Sequence, residues 1–181
     1  MTAVFKEIDM KVAVILANGC EELEALTPVD VLRRAGADVD LVSINGEFAK
    51  GSHDIVIKSD KLIEDVNLSE YACLVIPGGM PGATNISQNQ KVVEGLKNAL
   101  LENKLIASIC ASPAVVLARH GLIGDKKATC YNADVFVKEL GKSYTGASVQ
   151  VDGNLITANG PKSAMEFSIA ICEKLSIVAK F

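Results

Sequence analysis

Four short apolar runs recur along the chain: KVAVILA at 11–17, ADVDLVSI at 37–44, ACLVIPGG at 72–79 and LIASI at 105–109. KVAVILA, rich in valine and isoleucine, and ACLVIPGG read as buried strands, and ADVDLVSI and LIASI as further strands. Between them lie segments with helical patterning, so the chain predicts an α/β sheet sandwiched between helices. In 18–36 (NGCEELEALTPVDVLRRAG), Thr27, Pro28, Val29 and Asp30 form a capping-box pattern with proline at the first helical position, and Gly36 is a stop. Glu21 to Leu26 is either a separate turn or part of one longer helix. Further helices are expected over 92–104, 112–121, 133–140 and 163–179. Residues 45–71 are mixed, with a strand at 54–58. A short strand is expected over 127–131, and a hairpin over 146–159 across Asp152-Gly153.

The chain has 181 residues, which predicts a single domain spanning 1–181. A domain of this size buries roughly 70% of the surface its unfolded chain exposes. It therefore needs neither disulfides nor metals for a core. The five cysteines are scattered and odd in number, which fits a reducing compartment and a cytoplasmic location. The N-terminal MTAVFKEIDMK has acidic residues and no long apolar region, unlike a signal peptide, and no run approaches a membrane span. The net charge of −4 carries no basic stripe and tryptophan is absent, against nucleic acid as a partner.

Open parallel sheets place their sites beyond the carboxyl ends of the strands. Three such tips are 18–24, 77–82 and 110–113. At the third, Cys110 ends an apolar run and a helix pattern follows through Ala111, Ser112 and Pro113. Unpaired N–H groups at a helix start favour a thiolate, which predicts a depressed Cys110 pKa and a nucleophile elbow. The histidine base of cysteine hydrolases is missing locally. His120 lies ten residues on, about 15 Å along a helix, and suits the helix C-terminus beside Gly121. His53 reaches the site only through folding or dimerisation. Carboxylates remain: Glu21, Glu22 and Glu24 follow the first strand, and the residues alone do not choose among them. Gly78 and Gly79 close another strand with backbone N–H groups suited to an anion or to a tight turn. Two separated histidines and no CxxC predict no metal site, and no phosphate-binding glycine motif implies a nucleotide.

Taken together, VAVILANGCEELEALTPVDVLRRAG, LVIPGG, IASICASPAVVLA and ITANGP, in this order and spacing, resemble the DJ-1/ThiJ/PfpI superfamily, on its DJ-1-like branch. The resemblance implies a flavodoxin-like, class I glutamine amidotransferase-like three-layer sandwich with a mostly parallel central sheet, usually a homodimer. It places Cys110 on the family's elbow cysteine and Glu24 on its inward glutamate, with Gly79 and Ala111 supplying the N–H groups of an anion pocket. Tyr131, preceded by Cys130, stands where animal members carry a pocket histidine, and His53 where they carry an arginine contributed across the dimer. The peptidase branch has a histidine after the cysteine; Ala111 stands there, against peptidase activity. The implied activity needs no cofactor. A thiolate attacks small reactive aldehydes, methylglyoxal or glyoxal, in a glyoxalase III-type or deglycase-like reaction giving lactate or glycolate. Redox sensing through Cys110 oxidation and chaperone action are the alternatives implied. The older ThiJ link to thiazole monophosphate biosynthesis has no residue here in its favour.

Overall fold

The computed structural model describes residues 10–181; most of the N-terminal stretch weighed above as a signal peptide, residues 1–9, lies outside the described residues. Among the described residues seven strands form one sheet in the order β5-β2-β1-β6-β7-β9-β8. They are β1 (Lys11–Leu16), β2 (Asp38–Ser43), β5 (Lys61–Leu62), β6 (Cys73–Ile76), β7 (Leu105–Ile109), β8 (Val149–Asp152) and β9 (Leu155–Ala158). All neighbours run parallel except β8 and β9, which form the expected antiparallel hairpin. Its two-residue turn is Gly153-Asn154, one position beyond the one expected, and Gly153 takes a positive φ of 61° there. β3 (Phe48–Lys50) and β4 (Val56–Lys58) make a separate antiparallel pair.

The four apolar runs are central strands because their side chains are buried on alternate faces. In β1, Val12, Val14 and Leu16 join one core with residues of α1 (Glu22–Arg34) and α5 (Ala164–Lys174). Ala13 and Ile15 join the other, against α2 (Gly82–Gln88), α3 (Gln90–Leu101) and α4 (Asp134–Leu140). Helices on both faces complete the three-layer sandwich that the resemblance implied. Because β1, β6 and β7 are adjacent and parallel, their three carboxyl ends come out side by side.

Four local expectations change. Helix α1 starts at Glu22 and not at Pro28, because the Glu21 carboxylate accepts from the Glu24 N–H at 3.0 Å and caps the helix that much earlier. Glu21 to Leu26 thus belongs to one longer helix with Pro28 inside it. The segment after Cys110 is no regular α-helix. It is a π-helical turn over Pro113–Leu117 followed by a 3₁₀ turn over Ala118–His120, ended by Gly121 in the left-handed region. Residues 127–131 make only an isolated bridge, Ala128 to Tyr144. The strand expected over 54–58 is shortened to β4, since Asp54 turns at a positive φ of 65°. Among the described residues no helix is long and apolar enough to cross a membrane.

Candidate active site

Cys110 follows the last residue of β7 directly, and its backbone adopts φ 66°. A positive φ is strained for a side chain with a Cβ. The surroundings hold it: the Cys110 N–H donates to Ala158 O at 2.9 Å, and Cys110 O accepts from the Tyr131 N–H at 2.8 Å. The nucleophile elbow expected from the sequence is therefore a backbone strain at one residue, and no long helix begins there. Its sulfur is reached by two backbone N–H groups, of Gly79 and Ala111, the pair implied for the anion pocket.

Glu24 is fully buried in the first turn of α1. Its Oε2 accepts from the Gly78 N–H at 2.9 Å, and the carboxyl faces Cys110 across the space beside Gly78. Among the described residues Oε1 is buried with no hydrogen-bond partner. Burial pushes the Glu24 carboxyl up to about 7, against the opposing pull of Cys110 and the Gly78 N–H. The depressed Cys110 pKa expected above is not what the surroundings give. Burial, then the Glu24 charge, push the thiol up to about 12, and the Gly79 and Ala111 N–H groups only offset this. Two acids facing each other in a buried site hold their protons late, and they titrate as a pair.

The PGG turn is glycine for lack of space. A Cβ on Gly78 would stand 2.6 Å from Cys110 Cβ, 2.7 Å from Glu24 Oε2 and 2.8 Å from Ile109 O. Gly79 takes φ 83°, and a Cβ there would lie 2.4 Å from Glu21 N. The sequence alone left this turn as either an anion site or a plain turn; its glycines are what let the other two tips close on it.

The three acids have separate work. Glu21 caps α1. Glu22 is buried and takes the His53 N–H at 2.7 Å and His53 Nδ1 at 2.9 Å. Burial would raise Glu22, but the His53 side chain and nearby N–H groups outweigh it and hold the carboxyl below its usual range. The same bond raises exposed His53. His53 thus reaches the start of α1 within its own chain. The ligand atoms of Glu21, Glu22 and His53 lie within 4.8 Å of one another, a grouping that only the fold brings together. Helix capping and the His53–Glu22 pair already engage those atoms. His120 is held elsewhere, with Nε2 3.0 Å from Ser87 O and 3.1 Å from Ser87 Oγ. Tyr131 is half exposed beside the elbow, while Cys130 is buried with its sulfur 3.4 Å from Tyr131 O. Cys20 and Cys130 are both buried.

Residues 10–174 match the model of the DJ-1/PfpI family. The chain belongs to that family. Among its DJ-1-like relatives, the Parkinson disease protein 7 homolog of Danio rerio is 39% identical, over 90% of this chain and 87% of that protein. Glutathione-independent glyoxalase DJR-1.2 of Caenorhabditis elegans is 32% identical, over 86% of this chain and 82% of the relative. Protein DJ-1 homolog B of Arabidopsis thaliana is 38% identical over 91% of this chain, which spans only 37% of that longer protein; for homolog A the span is 42%. The structure of oxidized Toxoplasma gondii DJ-1 superposes with a TM-score of 0.87 at 41% identity, covering 92% of this chain and 90% of the other. The DJ-1/PfpI assignment thus rests on nearly the whole described chain, all three strand tips included.

Proposed function

We propose that this DJ-1-like chain converts methylglyoxal or glyoxal to lactate or glycolate without glutathione or a cofactor. The observation that carries the proposal is the buried Glu24 carboxyl paired with the Cys110 sulfur at a strained strand end. The name of the C. elegans relative supports the substrate class.

When the Cys110 thiol passes its proton to the Glu24 carboxylate, the sulfur becomes a thiolate facing the Gly79 and Ala111 N–H groups. The thiolate adds to the aldehyde carbon, and Glu24 gives its proton to the aldehyde oxygen, forming a hemithioacetal. The Glu24 carboxylate then takes the proton from that carbon and returns it to the neighbouring one, while the hydroxyl proton passes to the neighbouring oxygen, leaving a thioester on Cys110. Water cleaves the thioester, releasing the hydroxyacid and restoring the thiol proton. Deglycation of early adducts would begin from the same hemithioacetal. Lactate formation from methylglyoxal by the purified chain, with glutathione absent, is expected to vanish in C110A; turnover that survives in C110A removes the proposal.

The same pair supports a second reading, oxidation of Cys110 as a redox signal, favoured by the fold's match to a DJ-1 in an oxidized state. We also propose a homodimer. α1 and the β3–β4 pair expose Leu23, Leu26, Phe48, Ile55 and Val56, large apolar side chains suited to a second copy.

A further inference from the structure

Ser112, two residues beyond Cys110, is fully buried, and its Oγ lies 2.5 Å from the carbonyl oxygen of Pro77. A buried hydroxyl needs a partner, but this one is notable for which peptide it chooses. The acceptor belongs to the peptide unit between Pro77 and Gly78. The N–H of that same unit donates to Glu24 Oε2 at 2.9 Å. The hydroxyl, the peptide plane and the carboxyl therefore form one chain of hydrogen bonds, and its Glu24 end faces Cys110 across the space beside Gly78. The neighbouring carbonyl is also fixed: Gly78 O accepts from the Glu21 N–H at 3.0 Å.

We infer that Ser112 is a positioning residue for the Glu24–Cys110 pair, acting through the Pro77–Gly78 peptide. Two physical effects follow. A hydroxyl donating to a carbonyl polarises the peptide and makes its N–H a stronger donor, since hydrogen bonds in series reinforce one another. The Gly78 N–H in turn stabilises the Glu24 carboxylate. The bond also ties the turn carrying Gly79 to the elbow carrying Ala111, so both N–H groups are held on the sulfur together. Loss of the hydroxyl leaves Pro77 O without its donor, weakens the carboxylate's support and frees the Gly79 N–H from register. Each of these disfavours losing the first proton of the pair.

The inference rests on Glu24 and Cys110 being the reactive pair of the proposed function, but its test needs no aldehyde. The rate of Cys110 alkylation by iodoacetamide, followed by mass spectrometry, is measured against pH for the full chain, Ser112→Ala and Ser112→Thr. Ser112→Ala is expected to raise the first apparent pKa of the pair by about half to one pH unit and to slow alkylation about three- to tenfold below it, as the loss of one hydrogen bond implies. Ser112→Thr keeps the hydroxyl and is expected to restore the wild-type profile. A merely structural serine would lower the melting temperature and leave the profile in place, and that result overturns the inference. Should Ser112→Ala not fold, the carbonyl ¹³C shift of Pro77 in the wild-type chain decides. It is expected to move with the titration that moves the Glu24 carboxyl, and a Pro77 carbonyl indifferent to that titration overturns the inference. Failure of methylglyoxal turnover would count against the proposed function and leave this result standing.

Discussion

Replacing Glu24 by glutamine separates what the carboxyl does for catalysis from what it costs the fold. Glu24 is completely buried, and its carboxyl is raised from an ordinary 4.5 to about 7, chiefly by desolvation. In the unfolded chain the carboxyl ionises near its ordinary value. As pH rises from about 4.5 to about 7, the unfolded state gives up a proton that the folded state keeps. The unfolded state then binds fewer protons, so stability falls across this window and stays lowered above it. A shift of that size corresponds to about 3 kcal/mol. Glutamine keeps an oxygen for the Gly78 N–H and offers an N–H to the sulfur, yet it carries no charge to desolvate. Glu24→Gln is therefore expected to be more stable than the wild type at pH 8, by about 1–3 kcal/mol, with the difference fading toward pH 4.5. Its lactate formation is expected to fall about 10²- to 10⁴-fold, because the amide cannot shuttle a proton. Urea denaturation across pH 4.5–8, run beside the methylglyoxal assay, measures both. A variant no more stable than wild type at pH 8 would refute the buried-acid argument. Wild-type turnover in Glu24→Gln would refute the proton role and send the search to His53, Tyr131 or water.

Gly78→Ala places a methyl 2.6 Å from Cys110 Cβ and 2.7 Å from Glu24 Oε2, with a backbone carbonyl blocking retreat. It is expected to destabilise the fold by about 1–3 kcal/mol and to drive the pair apart; unchanged Cys110 alkylation and melting temperature would contradict this. Although burial raises its thiol, Cys110 is the one of the five cysteines that is partly exposed rather than buried, and Glu24 faces it. Mapping iodoacetamide labelling at pH 7 is expected to find it first, with fully enclosed Cys73 among the slowest; faster labelling at Cys20 or Cys130 would count against the elbow. Light scattering at micromolar concentration is expected to give twice the mass of the 19.1 kDa chain. A monomer at that concentration would remove the dimer and leave the apolar set on α1 and β3–β4 unexplained.

Much of the architecture was legible because its signals are local. A Val- and Ile-rich run with no polar face can be satisfied only by burial on both sides, so the central strands could be read from composition and spacing. The order of strands and helices then fixed the class of fold, and the motifs that resemble the family named Cys110, Glu24, Gly79 and Ala111 by number. Cys110 also stood out without the family, as a cysteine closing an apolar run.

Other features depend on groups far apart in the chain. The capping pattern at Thr27 to Asp30 was a sound local signal, but it lost to the Glu21 carboxylate, whose burial against the rest of the fold no local pattern reports. Whether a thiol is stabilised as an anion depends on the balance between helix-start N–H groups and desolvation. Sequence supplied the first and tertiary packing the second, with Glu24 folded against the sulfur from 86 residues away, so the pKa moved the opposite way. Gly78 illustrates the same division. The residue is a glycine in any reading, but only the convergence of Cys110, Glu24 and Ile109 O on the space of its absent Cβ shows why. Sequence fixes which groups exist and how each short segment folds. Distance, burial and shared protons exist only between segments, so they were decided when β1, β6 and β7 came out side by side.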